Sequence, residues 1–167
     1  MPNVFNSKIN LLLVLLLVAG GFWWLARPTP VPAVTLTTLA GKRIALNKLN
    51  GKVVLLSFWA TDCPACLQER ALLERIYRQF SSRGLRLYAI AMPYDPPNRV
   101  MQFVKTHPPS YPVALDPFGR ISQAFEVALI PTSILISPDG SLVWRHTGIP
   151  DLDRLQSLIE NLLHQGD

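Results

Sequence analysis

The stretch Trp59-Ala60-Thr61-Asp62-Cys63-Pro64-Ala65-Cys66 contains both cysteines of the chain. It directly follows the apolar run of residues 53–58, which has the pattern of a strand buried on both faces of a parallel sheet. From Cys63 to Phe80 the apolar side chains recur at helical spacing, and the apolar run from Leu85 to Ala91 predicts a second buried strand. The stretch therefore lies at the turn from strand to helix in a βαβ unit, whose crossover we expect to be right-handed.

Two thiols at the start of a helix favour redox chemistry. Cys63 is the expected nucleophile, because the unpaired N–H groups of the first helical turn favour negative charge on its sulfur. Cys66, one turn further along, is expected to be more buried and to attack a mixed disulfide formed at Cys63. Pro64 is compatible with this placement, since a proline in the first turn removes no intrahelical hydrogen bond.

Two other interpretations of the cysteine pair stay open. A permanent structural disulfide is the first, although closing so short a loop removes little unfolded-chain entropy and stabilises little. A Cu(I) site formed by Cys63, Cys66 and one histidine is the second, because thiolates select Cu(I). The three histidines are scattered along the chain, at His107, His146 and His164. We therefore predict no metal site.

The remaining apolar patterns complete a single α/β domain. They predict a mixed central β-sheet with helices on both faces, preceded by an N-terminal hairpin. Asp151 is expected to cap the last helix, whose leucines form a clean apolar stripe. Two hairpins are predicted at residues 34–46 and 133–145. The other elements are a helix from Pro97, a short strand at residues 111–115 and a helical turn around Ile121.

An uncharged apolar segment, Ile9–Ala26, precedes this domain. As a helix it would extend about 27 Å, which is sufficient for one membrane span. The tryptophans Trp23 and Trp24 suit an interfacial position near its end. We predict a transmembrane anchor at 9–26 after a short cytoplasmic segment at 1–8. A cleaved signal sequence is the competing interpretation, since Ala19-Gly20-Gly21 offers small residues at a cleavage site.

Both interpretations export the rest of the chain. Residues 27–33 contain three prolines and predict an extended linker, so that the folded domain would comprise residues 34–167. With 49% hydrophobic residues, a chain of 167 residues can build one ordinary core. The net charge of +5 is scattered, which argues against nucleic acid as a partner. We predict a single-pass protein of the bacterial inner membrane with its catalytic domain in the oxidising periplasm.

The sequence resembles the thioredoxin superfamily, and more closely its TlpA/ResA-like, membrane-anchored periplasmic thiol-disulfide oxidoreductases. The resemblance extends from Val34 to Leu163. It rests on short motifs along this range: residues 39–42, 49–52 and 58–66, Glu69, Asp116, Ile130-Pro131-Thr132, residues 138–140 and Gly148.

The resemblance implies a site around Cys63. Pro131 would be a cis proline against Cys63, and Ile130 would present its backbone to an incoming substrate. The implied substrate groove is formed by Trp59, Asp62, Pro64, Ala65, Ile130 and Pro131. No cofactor is implied beyond the redox-active disulfide Cys63–Cys66. The implied substrates are disulfides of exported proteins, including apocytochrome c, and the implied electron donor is a transmembrane partner of the DsbD or CcdA type. Reduction is the preferred direction, while a thiol oxidase or isomerase of the same fold stays open.

Four positions depart from related patterns. Asp62 replaces the usual tryptophan before the first cysteine and places a carboxylate beside the nucleophile, where it disfavours the thiolate. Ser57 stands where thioredoxin has a buried aspartate, so that Glu69 or an ordered water would have to accept the proton of Cys66; the simpler interpretation of Glu69 is a solvated helix residue. Ala71 replaces a helix-kinking proline and predicts a straighter helix. Ala60 stands where related peroxidases keep a threonine, which argues against peroxidase activity.

Overall fold

The computed structural model describes residue 17 and residues 29–165. The strands are β1 (Thr29–Pro30), β2 (Thr35–Thr38), β3 (Arg43–Ala45), β4 (Val54–Trp59), β5 (Arg86–Ala91), β6 (Val113–Leu115), β7 (Thr132–Ile136) and β8 (Ser141–Thr147). The α-helices are α1 (Pro64–Phe80), α2 (Pro97–Thr106), α3 (Arg120–Ala124) and α4 (Leu152–His164). Two short 3₁₀ helices, Leu46–Lys48 and Ser81–Arg83, follow β3 and α1.

Within residues 29–165 the strands form one eight-stranded sheet in the order β1-β8-β7-β4-β5-β6-β2-β3. The pairs β4–β5 and β5–β6 are parallel and the other pairs are antiparallel, which confirms the predicted mixed sheet. The carboxyl ends of β4, β5, β6 and β8 and the amino end of β7 therefore lie at one edge of the sheet. We call this edge, with the loops that leave it, the redox edge.

The hairpin β2–β3 is part of the sheet and does not simply precede it. Strand β2 pairs with β6, so that Thr37 lies opposite Leu115. The pairing buries Leu36 and Ile44 against one face of the sheet. The sequence predicted the hairpin but not its attachment, because β2 and β6 are distant in the chain.

Strand β4 is buried along its whole length because both faces of the sheet are covered. Successive side chains of a strand point to opposite faces, and two apolar clusters reflect this alternation. Leu55 and Trp59 belong to the cluster beneath α1, α2 and α4, whereas Leu56 and Phe58 belong to the cluster beneath α3 and the β2–β3 hairpin. The sheet thus holds the end of β4 rigidly between two packed layers.

The sheet begins earlier than the predicted domain start at Val34. Thr29 pairs with Leu142 and Pro30 with Ser141, so part of the predicted 27–33 linker lies along β8. The division of the chain into residues 1–8, 9–26, 27–33 and 34–167 stays a prediction. The 1–8 segment and, apart from residue 17, the 9–26 span lie outside the described residues. Among the described residues, no helix is both long and apolar enough to cross a membrane.

Candidate active site

Cys63 and Cys66 form a disulfide at the redox edge, between the end of β4 and the start of α1. The S–S distance is 2.17 Å and the Cα atoms are 5.2 Å apart. Cys63 is half-buried, whereas Cys66 is buried. The Cys66 N–H donates to Cys63 Sγ over 3.2 Å, so Cys63 is the N-cap of α1. An incoming group can therefore reach only Cys63, whose sulfur lies where helix N–H groups favour negative charge.

The Ile130–Pro131 peptide bond is cis, as the resemblance implies. It lies at the redox edge, immediately before β7, and pairing places Thr132 opposite Phe58 of β4. The Gly148 N–H donates to the Pro131 carbonyl over 2.8 Å, which ties the loop after β8 to the proline. Pro131 itself is buried and Ile130 is half-buried. The fold thus brings Ile130 and Pro131 to the same edge as Cys63, while their contact with substrate stays a prediction.

Glu69 is buried, so its interpretation as a solvated helix residue is wrong. Its side chain has 0% exposure. Ser57 Oγ donates to Oε2 over 2.9 Å, and Ser133 Oγ donates to Oε1 over 2.8 Å. Burial raises the pKa of Glu69, and the two serine hydrogen bonds lower it by less. The carboxyl group that thioredoxin carries on the strand is therefore supplied here by α1, against Ser57.

The spacing of the helix could have indicated this position. Cys66, Glu69, Leu73 and Ile76 recur at three- and four-residue intervals and form the buried face of α1. The charge of Glu69 favours the solvated face, whereas its place in the repeat is one of the buried positions. The sequence pattern does not indicate the contact of Ser133 with Glu69, because β7 is distant from α1 in the chain.

Glu69 and Cys66 line the same small cavity behind the disulfide. Its volume is about 10 Å³, which is about the size of one water molecule. Trp59 lines it as well and packs on Phe103, with the ring centroids 5.6 Å apart. With 5% exposure, Trp59 supports the site from beneath and has almost no surface to offer a substrate groove. Its position on β4 turns it toward the α1 face of the sheet.

The loop before Cys63 is fixed by Asp95, which the sequence reasoning missed. Asp95 is buried and accepts hydrogen bonds from the Thr61 N–H over 2.6 Å and from Thr61 Oγ1 over 2.9 Å. An aspartate just after the second parallel strand was the available signal, because such residues meet at one sheet edge. Asp62 remains exposed, and its Oδ2 lies 3.6 Å from Arg99 Nη1. Asp62 therefore forms an exposed ion pair with Arg99 of α2.

The other predicted residues lie beside the disulfide or apart from it. Pro64 is exposed and Ala65 is half-buried in the first turn of α1. His107 ends α2 and His146 lies on β8. Within the described part of the chain, no group of three or more His, Cys, Asp or Glu side chains is placed to hold a metal ion.

The site combines a half-buried cysteine at a helix N-terminus, a buried second cysteine with a carboxyl group behind it, and a cis proline immediately before the adjacent strand. These features define a thioredoxin-like thiol-disulfide oxidoreductase. The sequence model of the Redoxin family matches residues 27–161, and the chain belongs to that family.

Similar proteins agree with this class. The chain is 34% identical to the thiol-disulfide oxidoreductase ResA of Halalkalibacterium halodurans over 68% of this chain and 64% of that protein, which is less than two thirds of its length. It is 33% identical to ResA of Bacillus cereus over 78% of this chain and 75% of that protein. The crystal structure of a thiol:disulfide interchange protein from Chlorobium tepidum superposes with a TM-score of 0.73 at 28% identity, covering 83% and 98% of the two chains.

Proposed function

We propose that the protein reduces disulfides of exported proteins by dithiol exchange through Cys63 and Cys66. The observation that carries the proposal is the disulfide itself, at a helix N-terminus with only one of its sulfurs accessible. An inert structural bridge needs neither this asymmetry nor a buried carboxyl group behind it. The ResA relatives, which are thiol-disulfide oxidoreductases by name, support the same chemistry.

The exchange proceeds in two balanced steps. In the first, the Cys63 thiolate attacks one sulfur of the substrate disulfide; the substrate S–S bond breaks, a Cys63–substrate bond forms, and the released substrate thiolate takes up a proton. In the second, Cys66 loses its proton and attacks Cys63 Sγ; the Cys63–Cys66 bond forms, the Cys63–substrate bond breaks, and the second substrate sulfur leaves as a thiolate that takes up a proton. Two electrons pass from the cysteine pair to the substrate, which is reduced.

Glu69 is the proposed acceptor of the Cys66 proton. It lines the cavity that Cys66 also lines, and the cavity has room for about one water. Burial raises the Glu69 pKa, which brings this carboxyl group closer to neutral pH and makes it a better base than an exposed glutamate. Ser57 and Ser133 hold both of its oxygens, so the group is already oriented before the thiol reacts.

The location and the partners of the protein are part of the proposal. We assign residues 9–26 as an inner-membrane anchor and place the catalytic domain in the periplasm. Apocytochrome c disulfides are the proposed substrates, and a DsbD- or CcdA-type membrane protein is the proposed electron donor; both rest on the family resemblance. A tether supports this arrangement, because it keeps the domain at high effective concentration near a donor in the same membrane.

The reduction potential of the Cys63–Cys66 pair tests the direction of the reaction. We expect a value near that of thioredoxin, roughly −270 mV, in a dithiothreitol redox titration of the full chain. A value near that of DsbA, roughly −120 mV, would instead support the oxidase alternative. Cys66→Ser should trap a mixed disulfide with an oxidised peptide, whereas the matched Cys63→Ser variant should trap none.

A further inference from the structure

Exposed large apolar side chains are concentrated at the redox edge. Single exposed apolar residues are ordinary on protein surfaces, but a group of them on one edge indicates an interaction surface. Within residues 29–165, Leu67, Met101 and Val143 are exposed on helices and on β8. All others lie on loops of the redox edge: Tyr94, Phe118, Leu129 and Ile149.

Phe118 is the most exposed of the four, and a rigid turn holds it in place. Its side chain is 78% exposed. Asp116 is buried, and its carboxylate accepts hydrogen bonds from the N–H groups of Ile121 and Ser122 over 3.1 and 2.8 Å. The Gly119 N–H donates to the Asp116 carbonyl over 3.0 Å, with Gly119 at a φ of 67° that favours glycine. A ring presented in this way loses little conformational entropy when a partner covers it.

Tyr94 lies between this turn and the cysteines. Gly119 packs against Pro93, since a Cβ added at Gly119 would lie 3.5 Å from Pro93 Cγ. Tyr94 follows Pro93 and is 59% exposed. Asp95 follows Tyr94 and accepts two hydrogen bonds from Thr61, which ties this loop to the segment just before Cys63. We call Tyr94 and Phe118 the aromatic ridge.

The strand order places the aromatic ridge on one side of Cys63 and the cis proline on the other. Cys63 follows β4, while Tyr94 follows β5 and Phe118 follows β6. Pro131 precedes β7, which lies on the opposite side of β4. A polypeptide whose disulfide reaches Cys63 can therefore contact the cis-proline loop with one segment and the ridge with another.

We propose that the aromatic ridge binds an apolar side chain of the oxidised protein substrate, outside the segment that lies along the cis-proline loop. This inference rests on the proposed function and names a specificity surface for it. A polypeptide is favoured over lipid because the ridge borders the reactive disulfide, which a bilayer would cover.

Two synthetic disulfide peptides test the proposal with the full chain in detergent. Both carry the same intramolecular Cys-x-x-Cys disulfide; one has leucine and phenylalanine in its flanks and the other has serine at those positions. Phe118→Ala is expected to lower kcat/KM for the apolar peptide by roughly tenfold, as for a residue at the centre of an interface. The serine peptide and glutathione disulfide should be reduced at the wild-type rate, because neither covers the ridge.

Two control variants complete the experiment. Val143→Ala removes a comparable exposed apolar side chain from β8 and should change none of the three rates. Phe118→Leu should retain most of the preference for the apolar peptide. If the wild type reduces the peptides but Phe118→Ala slows all substrates equally or none of them, the ridge is not a substrate contact, and the proposed function stands. If the wild type reduces none of them, the proposed function and this inference both fall.

Discussion

Glu69 is a carboxyl group held away from water by the packing of α1 on the sheet. Two opposing effects act on it: burial disfavours its charged form, while the hydroxyl groups of Ser57 and Ser133 stabilise that form. Burial is the larger effect, so the pKa of Glu69 is raised in the folded protein. When the pKa of a carboxyl group is higher in the folded protein than in the unfolded chain, the free energy of unfolding depends on pH.

The free energy of unfolding of the oxidised protein should therefore fall as the pH rises from the ordinary glutamate value of 4.5. Because the folded state binds this proton more tightly than the unfolded chain does, the stability associated with the neutral carboxyl is complete below pH 4.5. It is lost as the pH rises through the folded-state pKa of Glu69. Glu69→Gln should remove this part of the pH dependence, as measured by urea unfolding at a series of pH values.

Glu160→Gln is the matched control, because Glu160 is only half-buried and pairs with Arg83 at the surface. It should leave the slope of unfolding free energy against pH close to that of the wild type. An unchanged slope in Glu69→Gln would show that the buried carboxyl does not titrate differently in the folded state. The proposed base would then lose its main physical support.

At the scale of elements, α4 illustrates how one side chain defines a helix boundary. Asp151 has an extended backbone, and its Oδ1 accepts the Arg154 N–H over 2.8 Å. The helix that follows buries Leu155 and Ile159 against the sheet. Asp151→Ala should lower the free energy of unfolding by about 1 kcal/mol, since one N–H of the first turn loses its partner. Urea unfolding at constant pH measures the difference.

Asp151→Asn is the informative comparison for this helix. Asparagine is as good an N-cap as aspartate, so most of the wild-type stability should remain. If Asp151→Asn lost as much stability as Asp151→Ala, the charge of Asp151 on the helix dipole would be the main contribution and not the hydrogen bond.

The elements with a local signal were predicted from the sequence, and their partners were not. Continuous apolar runs indicated β4 and β5, and helical spacing indicated α1 and α4, to within a residue or two of their observed ends. Long-range pairing was not accessible in the same way: the attachment of β2 to β6 and of Thr29–Pro30 to β8 depends on strands far apart in the chain.

In the candidate site, too, the residues with a local signal were predicted, and the contacts made with distant strands were not. Cys63, Cys66 and the cis proline follow from a local motif and from the family resemblance. The burial of Glu69 and the hydrogen bond from Thr61 to Asp95 depend on neighbours contributed by other strands. The local signs of these contacts were the charge of Glu69 in an apolar repeat and the position of Asp95 after β5.

At the scale of the whole molecule, β1 lies beside the first residues of β8, where the continuously described part of the chain begins. Thr29 and Pro30 pair with the first residues of β8, and the Val31 N–H donates to the Gly140 carbonyl over 2.8 Å in the turn before that strand. Cys63 lies at the redox edge, where β8 ends. If residues 9–26 anchor the protein as proposed, only Arg27 and Pro28 separate the anchor from β1.

The protein has two half-reactions, the reduction of a substrate disulfide and its own re-reduction by the membrane donor. Releasing the domain from the membrane should change the rate of the second but not of the first. A protease site inserted between Arg27 and Pro28 would allow the domain to be cut free from the anchored chain in lipid nanodiscs. The rate of glutathione disulfide reduction by the reduced protein should not change on cleavage, because Cys63 already faces the solvent. Reoxidised domain should, however, be reduced more slowly by a membrane-embedded electron donor in the same nanodisc, since the tether no longer maintains a high effective concentration.

An uncleaved sample with the same insertion, incubated with inactivated protease, controls for the inserted residues. An increase in glutathione disulfide reduction on cleavage would mean that lipid covers the redox edge in the anchored protein. That result would make lipid, and not a substrate side chain, the occupant of the aromatic ridge. An unchanged rate with slower donor reduction would mean that the tether serves the donor step alone, while the redox edge stays free for substrates.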